Sequence, residues 1–266
     1  MATTAAAFFD LDKTIIATSS AFAFGKEFLN SGMITRQEAL EISLAKASYM
    51  LLGQSSEKMD STRDALARMA AGWRVEDIQK ITTETMRTVV TPAIYAEARE
   101  LIRSHHEAGR EVIIISASAS ILVEPIAREL GVDTVVATEL EVQGGALTGR
   151  VTRYLKGEAK ADAVRRFAAE RGYDLAASYA YSDSATDIPM LALVGHPVAV
   201  NPDRALKKHA MHSGWGVLSF KNPEPLIAVP NAREVGIGAG ILAAVGAAVA
   251  AGFAVSKALR NNKASA

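Results

Sequence analysis

The sequence predicts an α/β fold, a doubly wound parallel sheet with an inserted run of helices. Three observations carry that expectation. Short apolar runs recur that read as strands, "AAAFF" (Ala5–Phe9), "REVIIIS" (Arg110–Ser116), "ASYAYSD" (Ala177–Asp183) and "HPVAV" (His196–Val200). Stretches of helical period separate the later ones, the alternation that builds parallel sheets. Between the first run and the second, from about Ala21 to His106, the spacing is helical throughout.

Ala5–Phe9 opens the chain as strand one. In the stretch that follows, Leu40, Leu44, Ala47 and Leu51 repeat at i, i+4, i+7 and i+11, and Ile78, Ile81, Thr85 and Val89 repeat similarly. "TRQE", Thr35 to Glu38, is a capping box opening the first of these runs. Arg110–Ser116 follows Gly109 as a continuous apolar run, the sign of a strand buried on both faces, and a helix after it ends near Gly131. "VDTVVAT" reads as a strand and "LEVQGGALTGRVT" as a hairpin turning at Gly144-Gly145. A helix from about Lys156 to Gly172 leads into the last two strands. The expected division is a catalytic core over 1–16 and 107–225 and a helical cap over 17–106.

Composition narrows the function classes. At 266 residues and 49% hydrophobic content the chain can bury a sizeable core. Lys+Arg and Asp+Glu balance at 29 each, so charge gives no bias toward nucleic acid. The absence of cysteine excludes disulfides, thiolate catalysis and thiolate-bound zinc, and fits a reducing, cytoplasmic compartment. Met1 to Ala7 lacks the pattern of a signal peptide. Val235 to Val255, "VGIGAGILAAVGAAVAAGFAV", is uncharged and of membrane-spanning length, although eight Ala and five Gly make it weakly apolar. The expectation is a single C-terminal transmembrane helix, with a buried or oligomer-forming helix as the alternative. Gly236 and Gly240 would let two copies approach closely, and Lys257, Arg260 and Lys263 favour a cytoplasmic C-terminus.

The chemistry begins at "FFDLDKT". Asp10 and Asp12 close an apolar strand, a costly placement unless a cation sits between them. Ser116 and Asp183 end two further strands, and in doubly wound sheets ligands bind beyond the strands' carboxyl ends. Hard carboxylate oxygens suit Mg²⁺, which keeps water or substrate phosphate in its shell. With the ion between Asp10 and Asp183, a phosphate can be drawn in against it, Lys160 and the Ser116 hydroxyl. An aspartate can then attack phosphorus while the neighbouring acid handles the proton.

In order and spacing these residues resemble the haloacid dehalogenase superfamily of phosphatases, in the subclass that includes phosphoserine phosphatases. The first motif, DxDxT after hydrophobics, matches "FFDLDKT", and the second, a strand ending in Ser or Thr, matches "VIIIS". The third-motif lysine matches Lys160 in "KGEAK", and acid-xxx-acid matches "SDSATDIPML". The resemblance implies a Rossmann-like core with a helical cap inserted between motifs one and two. It further implies Asp10 as nucleophile and metal ligand, and Asp12 as general acid/base that binds metal through its carbonyl. Ser116 and Lys160 then bind the phosphoryl group, Asp183 completes the metal site, and Asp187 holds Lys160 or a metal-bound water. Lys13 is read as a supporting residue at the site mouth, and Thr14 as a supporting residue beside it. Two positions depart. Ser19 stands where phosphoserine phosphatases place the Glu that meets the substrate ammonium, and Thr186 replaces an Asn.

The expected function is therefore Mg²⁺-dependent hydrolysis of a small phosphate monoester through an aspartyl-phosphate, with the substrate open. The alternatives are a membrane-associated lipid-phosphate phosphatase and a non-catalytic phosphoryl-sensing scaffold. Lys156, four residues before Lys160, competes for the third-motif role. His105, His106, His209 and His212 are read as surface or cap residues, and Ser118 and Ser120 as caps of the helix after strand two.

Overall fold

The computed structural model describes residues 4–40, 56–132 and 134–222. Its centre is a seven-stranded sheet in the order β4-β3-β2-β1-β5-β6-β7. The strands are β1 (Ala6–Phe9), β2 (Glu111–Ala119), β3 (Thr134–Gln143), β4 (Ala146–Arg153), β5 (Tyr179–Ser182), β6 (His196–Val200) and β7 (Gly216–Leu218). All neighbours pair in parallel except β3 with β4. The chain winds outward from β1 in both directions, which makes the carboxyl end of β1 the switch point where such sheets open a crevice.

Every residue of β1 is buried, as a strand with both faces covered requires. Ala7, Phe9 and Ile114 belong to one apolar cluster, and Ala6, Phe8, Ile113 and Ile115 to the other, the period of two that a strand imposes. The second cluster is closed by α6 (Glu158–Arg171), the short α7 (Ile188–Leu191) and α8 (Arg204–Ser213), through Val164, Leu191 and Leu206.

The first cluster runs on into the inserted helices. These are α1 (Ser20–Asn30), α2 (Ser56–Met69) and α3 (Val75–Thr85), with α4 (Ala96–Glu107) and α5 (Ser120–Glu129) lying closer to the sheet. Phe24, Phe28 and Ile78 share that cluster with Phe9 and Ile114, so this part of the insertion and the sheet share one core. The chain leaves the sheet layer and returns to it along a paired neck: Ile16 bridges Ile94, the Ala17 amide donates to the Ala93 carbonyl, and that of Tyr95 to Ile15. The stretch 17–106 thus includes one helix, α4, that packs on β2.

Sequence and structure differ in three places. "VDTVVAT" and "LEVQ" form a single strand, β3, whose first half pairs with β2 and whose second half pairs with β4. No glycine or proline interrupts Thr134 to Gln143, so nothing ends the extended backbone there. The edge strand β7 has no counterpart in the reading, because three exposed residues carry no periodicity. The capping box is present, with Glu38 accepting from the Thr35 amide at 2.8 Å and the Glu38 amide donating to the Thr35 hydroxyl at 3.2 Å, but Leu40 is 59% exposed. The repeat beyond Leu40 and the segment 235–255 lie outside the described residues. Among the described residues no helix is long and apolar enough to cross a membrane.

The β3–β4 hairpin reaches away from the sheet and joins the insertion. Gly72 donates to the Leu147 carbonyl, Leu147 to Trp73 and Val75 to Gly145, at 2.8, 2.9 and 3.0 Å. Arg63 of α2 lies 4.2 Å above the Tyr154 ring just past β4. Gly149, at φ 86°, sits where an added Cβ would meet the Ala71 Cβ at 3.0 Å and the Ala67 carbonyl at 3.3 Å. Gly149→Ala is therefore expected to lower the free energy of unfolding by about 1–2 kcal/mol through the left-handed backbone alone, with the contact adding to it. Equilibrium urea unfolding checks this, and an unchanged midpoint would contradict the tight seat.

Candidate active site

Three strands and one helix aim polar side chains at the switch point. Asp10 directly follows β1, and its amide donates to the Tyr181 carbonyl at 2.9 Å, so its backbone extends the sheet ladder. Its side chain is buried and held at both oxygens. Lys160 Nζ lies 2.7 Å from Oδ1, and the Thr14 hydroxyl donates to Oδ2 at 3.1 Å. Lys160 projects from the first turn of α6, and its ammonium also lies 2.7 Å from Asp187 Oδ2, which accepts from the Ser182 hydroxyl as well. Burial pulls the Lys160 ammonium down, but the two carboxylates outweigh it and hold its pKa above the usual lysine range.

Asp183 follows β5 and faces the same crevice. Burial, then the charge of Asp10, push its carboxyl up to about 8, with Lys13 pulling the other way. Burial likewise raises Asp10, to about 6, against the opposing pull of Lys160. A buried acid raised by the charge of a second acid across one crevice marks a place for a cation. Among the described residues no group of three acids or histidines gathers to hold a metal. The donor set is instead two carboxylates and whatever backbone oxygen lies nearby, which fits Mg²⁺, an ion that retains water and substrate oxygens.

Ser116, 1% exposed, lies in β2 with its Oγ accepting from the Ser118 amide at 3.1 Å. Asp12, partly exposed, lies between the core and the insertion. Its Oδ1 accepts from the Ser20 amide at 2.8 Å and its Oδ2 from the Ser118 hydroxyl at 2.6 Å. Lys13 is exposed at φ 62°, within electrostatic reach of Asp183. Lys156 lies 6.0 Å from the centre of the Tyr154 ring, whereas Lys160 is the lysine buried among the acids. Ser19 is the N-cap residue of α1 and makes no side-chain cap bond.

Two readings are corrected. Ser118 does not cap α5. The N-cap position is Ala119, and the Ser118 hydroxyl turns to Asp12 instead. His105 is not at the surface but 1% exposed, because the buried stripe Ala98, Ile102 of α4 continues one turn further to it. Arg110 Nε donates to its Nδ1 at 2.7 Å, so Nε2 carries the proton and donates to the Tyr181 hydroxyl at 2.8 Å. Burial, then the Arg110 and His106 charges, hold its pKa down to about 4, leaving it neutral. Tyr181 in turn stacks on Phe9 at 4.3 Å, beneath Asp10. Asp203 is a further residue the sequence reading missed, although an Asp directly before a helical run is the signal of an N-cap. It accepts from the amides of Ala185 and Leu206 at 2.9 and 2.7 Å and donates its own to the Asp183 carbonyl at 2.8 Å, tying the Asp183–Asp187 loop to α8.

Above about pH 7.5 His105 is almost wholly neutral in both folded and unfolded chains, and below that its charging in the unfolded chain opposes the trend that follows. The raised pKa of Asp183 contributes stability that is full below its ordinary 3.8 and is lost as pH rises through about 8. In EDTA the melting temperature is therefore expected to fall between about pH 6.5 and about pH 8.5, and added Mg²⁺ to raise it most at the alkaline end. A melting temperature indifferent to both variables would contradict the paired-acid geometry.

Residues 7–192 match the family model of haloacid dehalogenase-like hydrolases. A Mycobacterium tuberculosis protein named "Probable phosphatase" is 47% identical over 257 residues, 96% of this chain and 88% of its own length. A phosphoserine phosphatase of the same organism is 38% identical over 247 residues, covering 91% of this chain and 80% of that protein. A histidinol-phosphatase of Neisseria meningitidis is 33% identical over 222 residues, covering 81% and 98%. Among solved structures, a protein of unknown function from Bordetella pertussis superposes with a TM-score of 0.72 at 28% identity, over 81% of this chain and 98% of that one. A substrate-bound phosphoserine phosphatase, at 0.62 and 21% identity over 84% and 96%, shares the fold.

Proposed function

The chain belongs to the haloacid dehalogenase-like hydrolase family, and from that premise we propose that it is a Mg²⁺-dependent phosphatase acting through an aspartyl-phosphate on Asp10. It is a phosphoric monoester hydrolase, and its relatives include phosphatases named for phosphoserine and for histidinol phosphate. The observation that carries the mechanism is the convergence of Asp10, Lys160 and Asp187 at the switch point, with Asp183 facing the same crevice.

Asp10 and Asp183 would hold Mg²⁺, with Asp12 offering its carbonyl. Bound there, the ion supplies positive charge that neutralises the acids and draws in the phosphoryl oxygens. Lys160 and the Ser116 hydroxyl bind the same oxygens, and Thr14 and Lys160 fix the plane of the Asp10 carboxylate. An Asp10 oxygen attacks phosphorus, the bond from phosphorus to the leaving oxygen breaks, and Asp12 gives that oxygen its proton. Asp12, now ionised, takes a proton from water as the water oxygen attacks phosphorus and frees Asp10. Asp187 keeps Lys160 aimed at the site.

Ser19 supports a leaving group different from that of phosphoserine, because its short neutral side chain offers no carboxylate to an ammonium. Hydrolysis of p-nitrophenyl phosphate is expected to need Mg²⁺ and to stop in EDTA. Asp10→Asn is expected to lose activity by at least about 10³-fold, since an amide cannot form the acyl phosphate. Turnover that survives in Asp10→Asn would overturn this reading.

A further inference from the structure

We propose that Ser118 is the positioning residue that aims Asp12 for proton transfer to the leaving group, an inference that rests on the reading of Asp12 as general acid/base.

The geometry is specific to this serine. β2 and β3 pair regularly as far as Ser116 with Ala137 and resume at Ala119 with Thr138, so Ala117 and Ser118 are extra residues in β2 with no ladder partners. A bulge of this kind turns a side chain away from its strand's alternation. Here it delivers the Ser118 hydroxyl to Asp12 Oδ2 at 2.6 Å, at the short end of hydroxyl–oxygen hydrogen bonds. The bulge itself is pinned from the next strand. The Thr138 hydroxyl donates to the Ala117 carbonyl at 2.7 Å and accepts from the Leu155 amide at 3.2 Å.

Two donors fix a carboxylate where one would let it swing. The Ser20 amide, at the first position of α1, takes Oδ1, and Ser118 takes Oδ2. One donor comes from the insertion and the other from the sheet, so the plane of the acid is set only when both are in place. Through its amide, Ser118 also holds the Ser116 hydroxyl at 3.1 Å, which couples the phosphoryl-binding serine to the proton-transfer acid across a two-residue loop. The α5 helix that follows has Ala119 at its N-cap position, without a side-chain cap, and takes nothing from the Ser118 side chain.

A proton donor matters most when the leaving oxygen is basic, so the test is a series of aryl phosphates from p-nitrophenyl phosphate, the best leaving group, to phenyl phosphate, the poorest. Under Mg²⁺, Ser118→Ala is expected to lower kcat/KM for phenyl phosphate on the order of tenfold or more and for p-nitrophenyl phosphate about twofold or less. Ser118→Thr, which keeps the hydroxyl, is expected to restore most of the loss. Circular dichroism and melting temperature establish that both variants fold. An equal fall across the series, or a Thr variant as impaired as Ala, would overturn the role of Ser118 while leaving the phosphatase reading intact. A wild-type enzyme without Mg²⁺-dependent turnover of any ester in the series would overturn that reading and this proposal together.

Discussion

Lys160 is the residue on which the site depends. The residue is 2% exposed and its ammonium touches Asp10 and Asp187 at 2.7 Å each, so a cation is buried between two acids. Removing charges from water is tolerated only when partners are close and well oriented, and here the orientation comes from the fold. α6 starts from Gly157, at φ 58°, where an added Cβ would lie 3.6 Å from the Thr186 carbonyl, so the helix's first turn runs against the Asp183–Asp187 loop. The strand order then sets Asp10 opposite. A phosphoryl group entering this site meets a cation already in position, which is where an electrostatically prepared site gains its advantage over water.

Beneath the reacting groups lies a layer of buried rings that supports Asp10 from the strand side. Tyr181 contributes its carbonyl to the Asp10 amide, its ring to Phe9 and its hydroxyl to the neutral His105. Arg110, 4.9 Å from the Tyr179 ring, sets the tautomer of that histidine. The buried imidazole is thus satisfied on both nitrogens, as a polar group in a core must be. Asp203 does the corresponding work on the other side, joining the loop that carries Asp183 to the start of α8.

The residues proposed for the chemistry were legible because chemistry dictates their type and their distance from strand ends. Asp10, Ser116 and Asp183 stand where a parallel sheet opens, and strands buried on both faces announce themselves as unbroken apolar runs. Lys160 could be separated from Lys156 by spacing, and burial agrees. What stayed hidden depended on neighbours that are distant in sequence. Nothing local says that His105 continues the stripe of α4 while His106 does not, since a histidine suits either face. Ser118 sits two residues before a helix begins, beside the place of a cap, and the two-residue bulge in β2 sends its hydroxyl elsewhere. The continuity of β3 was obscured for a related reason: the strand changes partner midway, so its apolar pattern changes with it.

The ladder between Gly72–Val75 and Gly145–Leu147 bears on how the crevice admits its substrate. With the neck at 15–17 and 93–95 it fastens the insertion at two separate places along the chain. A roof fastened at two places does not swing like a door. Any movement of the insertion against the sheet must therefore carry the β3–β4 hairpin with it or break those backbone bonds.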